Sequence, residues 1–208
     1  LTIRHGKELV IDKIIRRFKA IGYTVEYQSL NAADYGVPQK RQRIIFIGTK
    51  FDVPITFPAI THSRDGIEKE TMPWLTVRQA IDDLKDIPED KAFSHIFSKH
   101  SVDFLKKLNA TPIGHSVFKG YADAFYRNPP DEPSRTVKEN HGAVLVHYEK
   151  SRVMTPRELA RLQSFSDDFL FKSTKSMILK QIGNAVPPLL SRAIGGSIRE
   201  ILNQIDSK

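Results

Sequence analysis

Residues 31–48 read NAADYGVPQKRQRIIFIG, a polar turn that runs without a break into an apolar segment. Gly36 and Pro38 punctuate the turn, and Lys40, Arg41 and Arg43 crowd together directly after it. The run RIIFIGT that starts at Arg43 is short and continuously apolar, the pattern of a strand covered on both faces. Arg41 and Arg43 lie two apart, so extended geometry predicts that both point to the same side. Such a cluster is either a solvated strand end or an anion-holding lip of a sheet, and spacing alone favours the solvated end.

Upstream, residues 6–21 place Leu9, Val10, Ile14, Phe18 and Ile21 at helical intervals, and Gly22 supplies a stop. Residues 23–30 alternate Val25 and Tyr27 against Glu26 and Gln28, which predicts a strand. The order helix, strand, loop, strand is that of the trailing edge of a larger α/β sheet, because two strands and a helix make a poor sheet alone.

Composition sets outer bounds. The 208 residues suit one or two domains with a real core, and the charged and apolar fractions are those of a globular chain. With no cysteine, disulfides, cysteine-ligated zinc and a thiol nucleophile are excluded. The histidines show no metal-ligand spacing, so no metal is expected, and His95 and His100 are expected at the surface. No apolar run approaches the ~18 residues of a bilayer span, and no signal-peptide pattern opens the chain. The chain begins with Leu1, which suggests a fragment or a processed chain. The net charge of +8 is uneven: residues 1–49 carry 9 Lys/Arg against 4 Asp/Glu and residues 134–208 carry 12 against 7, whereas residues 50–133 carry 11 against 13. Basic ends favour nucleic acid through phosphate attraction, without sequence information.

Further along, Pro54, Pro58 and Pro73 mark 51–75 as loop and short extended pieces. TVRQAIDDL (76–84) predicts a short amphipathic helix, as does 102–108, and RNPPDEPSR (127–135) a boundary followed by a strand, AVLVHY (143–148). TPRELARLQ (155–163) offers Thr155 as N-cap, Pro156 at the first helical position and Glu158 to complete a capping box. Gly183 reads as the residue that ends helical turns over 176–182. Pro187 and Pro188 open a last helix whose Leu189, Leu190, Ala193, Ile194, Ile198, Ile201 and Leu202 are expected to pack inward.

Three of these stretches carry a family resemblance. LNAADYGVPQKRQRIIFIG resembles motif VIII of the C5-cytosine DNA methyltransferases. PSRTV (133–137) with RVMTPRELARLQSFSDDF (152–169) resembles motif IX, and QIGNAVPP (181–188) motif X, in the family's order and spacing. The family's glycine-rich S-adenosylmethionine loop, Pro-Cys nucleophile and Glu-Asn-Val dipeptide have no counterpart in the sequence. The resemblance therefore implies the C-terminal part of a Rossmann-like α/β methyltransferase sheet plus a small irregular α+β target recognition domain. It divides the chain into 1–50 (catalytic edge), 51–150 (recognition) and 151–208 (motif IX and the returning helices).

The same resemblance implies roles. A cytosine flipped out of duplex DNA gains electron density on attack, which Arg41 and Arg43 would stabilise at its O2 edge or flanking phosphates, with Gln39 shaping the loop. Gly183, Asn184, Ala185 and Val186 would face the methionine end of S-adenosylmethionine. Arg152, Arg157, Glu158 and Arg161 would chiefly orient the recognition domain, with Arg152 or Arg157 as phosphate contacts. Arg64, Lys119, Tyr121, Tyr126 and Arg127 are candidate base readers. Without a nucleophile the chain is expected to be inactive alone. It would work with an N-terminal methyltransferase half carrying the Pro-Cys, on duplex DNA in the bacterial cytoplasm, and would show an exposed apolar face where that half packs. The alternative is a non-catalytic DNA-binding module or methyltransferase remnant.

Overall fold

A computed structural model describes residues 4–5, 8–67, 70–118, 120, 124–139 and 145–207. Lys119 and Tyr121, and the first two residues of the expected strand 143–148, lie outside the described residues. The chain forms two compact units, one of residues 1–30, 42–59 and 192–208, the other of residues 31–41 and 60–191. These boundaries differ from the expected 1–50, 51–150 and 151–208, because residues 154–182 share a core with the segment around residue 77, whereas residues 192–208 belong to the first unit.

In the first unit, β1 (Arg4–His5) pairs antiparallel with β2 (Glu8–Leu9), which leads into α1 (Val10–Ala20). The helix stops where expected, with Gly22 in the left-handed region at φ 86°. β3 (Thr24–Asn31) and β4 (Gln42–Thr49) form a two-stranded sheet. One face of β4 is covered as period 2 demands: Ile47 packs with Val53 and with Ile201 of the last helix, α6 (Pro188–Asp206), and Ile45 and Ile205 flank them. The other face stays open, with Ile44 exposed and Phe46 set against the Tyr27 ring. Burial on both faces, expected from the continuous apolar run, is thus corrected to burial on one.

α1 buries none of its side chains, and Phe18, Ile21, Ile198 and Leu202 remain exposed around the unit. The inward packing expected of Ile198 and Leu202, and of Leu189 in the second unit, is therefore not found, while Leu190 and Ile201 are buried. Ile47→Ala should cost about 3 kcal/mol, since Ile47 is among the few buried apolar side chains here. Urea unfolding followed by circular dichroism checks this.

The second unit holds the larger core. α2 (Val77–Ile81) begins at a capping box between Thr76 and Gln79 and buries Val77 and Ile81. The chain then passes through α3 (Val102–Ala110) to α4 (Pro156–Leu162) and α5 (Lys175–Asn184). Val77, Ile81, Leu159, Leu162, Ile178 and Ile182 close one cluster, which joins α2 to α4 and α5. α4 starts as its sequence dictates, with Thr155 accepting from Glu158 N, Glu158 accepting from Thr155 N, and Pro156 in the first turn. The expected strand at 143–148 is absent from its described part: Val146 makes only isolated bridges to Arg127 and Val153. β5 (His62–Ser63) and β6 (Met72–Pro73) pair in parallel beside the loop of residues 31–41.

Candidate functional site

The loop between β3 and β4 is the organising element of the second unit. Ala32–Tyr35 makes one 3-10 turn closed by Gly36 at φ 79°, and a side chain at Gly36 would stand 2.9 Å from the His62 ring. Trp74 Nε1 donates to Asp34 at 2.9 Å, and Thr61 N donates to the Asp34 carbonyl at 2.9 Å. These bonds hold the loop, so that residues 39–41 run alongside 134–137: Lys40 N donates to Ser134 O at 2.8 Å, and Ser134 N to Pro38 O at 3.0 Å.

Gln39 is fully buried, and both ends of its amide are bonded. Its Nε2 donates to Leu162 O (3.0 Å) and Gln163 Oε1 (3.2 Å), and its Oε1 accepts from Val137 N (3.0 Å). Gln163, at the end of α4, passes the chain of bonds on to Ile182 O at 2.7 Å. Arg41 is only 5% exposed. Its Nη1 donates to Val137 O at 2.8 Å, and its Nη2 to Gly183 O at 3.0 Å and Ala185 O at 3.2 Å. The stretches 39–41, 134–137, 163 and 182–185 are thereby one hydrogen-bonded piece.

Arg43 is exposed, and its Nη1 donates to the carbonyl of its neighbour Gln42 at 2.7 Å. The expected shared direction of the two arginines is corrected. Arg41 belongs to the loop that pairs with 134–137 rather than to the regular strand, which begins at Gln42, so the period-2 rule does not reach it.

Gly183 is not the left-handed residue that ends α5; the helix runs through it to Asn184. Its missing side chain admits another part of the same chain: a Cβ there would lie 2.4 Å from Glu139 N and 2.5 Å from the Lys138 carbonyl carbon. Asn184 Nδ2 donates to Glu139 Oε2 at 2.7 Å, and Val186 is 51% exposed beyond the helix end.

The candidate DNA contacts separate sharply. Arg64 is exposed. Arg127 is buried, donating from Nη1 to His147 O (2.9 Å) and Tyr148 O (3.2 Å) and from Nη2 to Leu108 O. Burial lowers its pKa from the usual value. Tyr126 is buried in the core cluster beneath the Arg135 guanidinium, 3.5 Å from its ring. Arg157 is fully buried and donates to Phe93 O (2.9 Å), Ser166 O (3.2 Å) and Phe169 O (2.9 Å). Base or phosphate contacts by Tyr126, Arg127 and Arg157 are therefore corrected to framework roles, since each is enclosed by its own chain. Arg152 holds Glu158 in a two-bond pair at 2.8 and 2.7 Å, over the Phe97 ring.

His95 and His147 are fully buried beside this pair, which overturns the surface reading of His95. His95 Nδ1 lies 3.0 Å from Thr155 Oγ1, and burial lowers its pKa. His147 Nδ1 accepts from the amides of Glu149 and Lys150, both at 3.1 Å, so the ring proton sits on Nε2, 3.8 Å from Glu158 Oε1. Burial pushes His147 down to about 4, against a smaller upward pull from Glu158. His100 is half-buried against Phe104, and burial lowers its pKa too. Among the described residues no group of histidines and carboxylates is placed to hold a metal ion, and no helix is long and apolar enough to cross a membrane. Gln163 was missed in the sequence because one glutamine at a helix end carries no signal of its own.

Residues 2–200 match the C-5 cytosine-specific DNA methylase family, and the chain belongs to it. It is 37% identical over 198 residues to the Type II methyltransferase M1.HphI of Haemophilus parahaemolyticus, covering 89% of this chain and 50% of that protein. To M.BbvI of Brevibacillus brevis it is 38% identical over 185 residues, 80% of this chain and 46% of the relative. The chain thus spans about half the length of the curated relatives it matches. Among solved structures, an E. coli prophage-encoded chain described as a DNA modification methyltransferase matches with TM-score 0.73 at 23% identity, over 97% of this chain and 67% of that one. The S. pombe Dnmt2 methyltransferase matches with TM-score 0.55 at 18% identity, over 97% and 65%. At these identities the likeness speaks to the fold alone, a mixed α/β fold of the Rossmann-like methyltransferase kind.

Proposed function

We propose that the chain is the C-terminal portion, or a split subunit, of a DNA (cytosine-5-)-methyltransferase acting on duplex DNA in the cytoplasm. The observation that carries this reading is the bonded lattice of Gln39, Arg41, Val137, Gln163 and Gly183, which draws the motif VIII, IX and X stretches into one piece. S-adenosylmethionine supplies an electrophilic methyl group when bound. The turn after α5 suits its methionine end, because the exposed Asn184 amide both donates and accepts while Val186 offers apolar contact. Ala185 holds the backbone of that turn through its carbonyl, and Gly183 supports it from behind.

Arg43, exposed and cationic, serves the cytosine O2 edge or the flanking phosphates. Arg64, Lys119 and Tyr121 remain the candidates for DNA contact in the recognition segment, and Arg152 for phosphate. The sequence holds no cysteine, so the thiolate that attacks C6 must come from an N-terminal methyltransferase half carrying the Pro-Cys, and this chain alone is inactive. Binding of a mixed-sequence duplex separates this reading from a non-catalytic DNA-binding module. The chain joined by its complementary half should bind about tenfold more tightly with S-adenosylmethionine present, and salt should weaken binding steeply. Equal binding by the chain alone, indifferent to S-adenosylmethionine, would instead support the module.

A further inference from the structure

Helix α5 ends in an unusual way. The last carbonyls of any helix lack partners within it, and the negative end of its dipole favours a cation there. Here the cation comes from far away in sequence: Arg41 reaches Gly183 O and Ala185 O with one guanidinium nitrogen and Val137 O with the other. One planar fork thus caps α5 and ties its end to residue 137, a geometry that lysine, with a single ammonium, cannot reproduce. The contact is reinforced at two points. Gln163 Nε2 bonds Ile182 O one residue earlier, and Gly183 lies against the backbone of 138–139 with no room for a side chain.

We propose that Arg41 is a positioning residue: it sets the turn of residues 184–186 and holds it to the 134–139 segment, and it does not itself touch base or phosphate. That the turn so fixed is the one for S-adenosylmethionine rests on the function proposed above; the positioning itself does not. Freeing the guanidinium for a substrate would strand three carbonyls in a nearly closed site. Arg43, exposed on β4, is left as the arginine of the pair that can reach a ligand.

Amide hydrogen exchange on the full 208-residue chain tests the proposal. Arg41→Lys should speed exchange at Ala185 and Val137 by about tenfold or more while core amides of α4 hold, and Arg43→Lys should change neither by more than about twofold. Unchanged protection in Arg41→Lys, or an equal effect of Arg43→Lys, would overturn it. Should Arg41→Lys fail to fold, the wild-type chain still decides by nitrogen NMR. The Arg41 guanidinium should rotate slowly, give resolved Nη signals and stay unmoved by a mixed-sequence duplex; averaged signals, or a duplex-induced shift of Arg41, would contradict the clamp.

In the assembled enzyme, Arg41→Lys should raise KM for S-adenosylmethionine about tenfold and leave kcat within about threefold. A fall in kcat at unchanged KM would place Arg41 on the reacting base instead. If no enzyme can be assembled, the function proposed above fails, and the exchange and NMR results still settle the positioning.

Discussion

Replacing Gly183 with alanine should destabilise the second unit by about 3 kcal/mol, although alanine is the better helix former by about 1 kcal/mol. The clash decides the sign. The new Cβ would stand 2.4 Å from Glu139 N and 2.6 Å from Glu139 Cα, and these are backbone atoms, which cannot swing aside as a side-chain tip can. Relief requires the 138–139 segment to move away, which strains the Arg41 bond to Val137 O and the Asn184 bond to Glu139. Trp74, the single tryptophan, lies in this unit, so urea unfolding followed by its fluorescence reports the loss. Gly195→Ala and Gly196→Ala are the controls. Neither would meet another atom within 4 Å, and each should stabilise α6 by up to about 1 kcal/mol. A Gly183→Ala chain as stable as wild type would contradict the close approach.

Acid should weaken the same unit well before its carboxylates are protonated in bulk. His147 titrates at about 4 in the folded chain against 6.5 when unfolded, because its ring is enclosed and its Nδ1 already accepts two amides. Between these values the unfolded chain binds more protons, so stability rises with pH. The contribution is complete above 6.5 and is lost as pH falls towards about 4. The difference corresponds to about 3 kcal/mol. Burial is the largest influence; Arg152 and Lys150 push the value the same way, down, and Glu158 and Glu149 pull it up. His95, buried beside Thr155, adds a contribution of the same sign. His147→Gln should flatten the profile in this window. A wild-type profile that is already flat, or that climbs as pH falls, would contradict the burial of the neutral ring.

Local rules wrote much of this fold into the sequence. The capping box at Thr155 and Glu158, the stop at Gly22, the paired prolines that open α6 and the apolar run of β4 each signalled an element within a few residues. What stayed hidden depended on partners distant in the chain. Gly183 followed by Asn184 reads like a helix stop, and only the backbone of 138–139 lying against it shows why glycine is needed inside the helix. Arg127 and Arg157 look like surface cations because arginine is seldom buried, yet carbonyls from several segments take up their donors. Likewise Arg41 and Arg43 differ by a single strand boundary, which sets one in a loop pairing and leaves the other exposed. α6 shows the opposite case: its apolar face was legible, but Ile198 and Leu202 stay exposed because the first unit covers only part of it.

The measurement that bears most directly on the central claim is methyl transfer from labelled S-adenosylmethionine to a mixed-sequence duplex. The chain is assayed alone and then together with a complementary methyltransferase half that carries a Pro-Cys nucleophile. Label at cytosine C5 from the pair, none from either part alone, and loss of that label on Arg43→Ala is the predicted result. A soluble, stably associated pair that transfers no methyl group, or a complementary half that methylates fully without this chain, would contradict it.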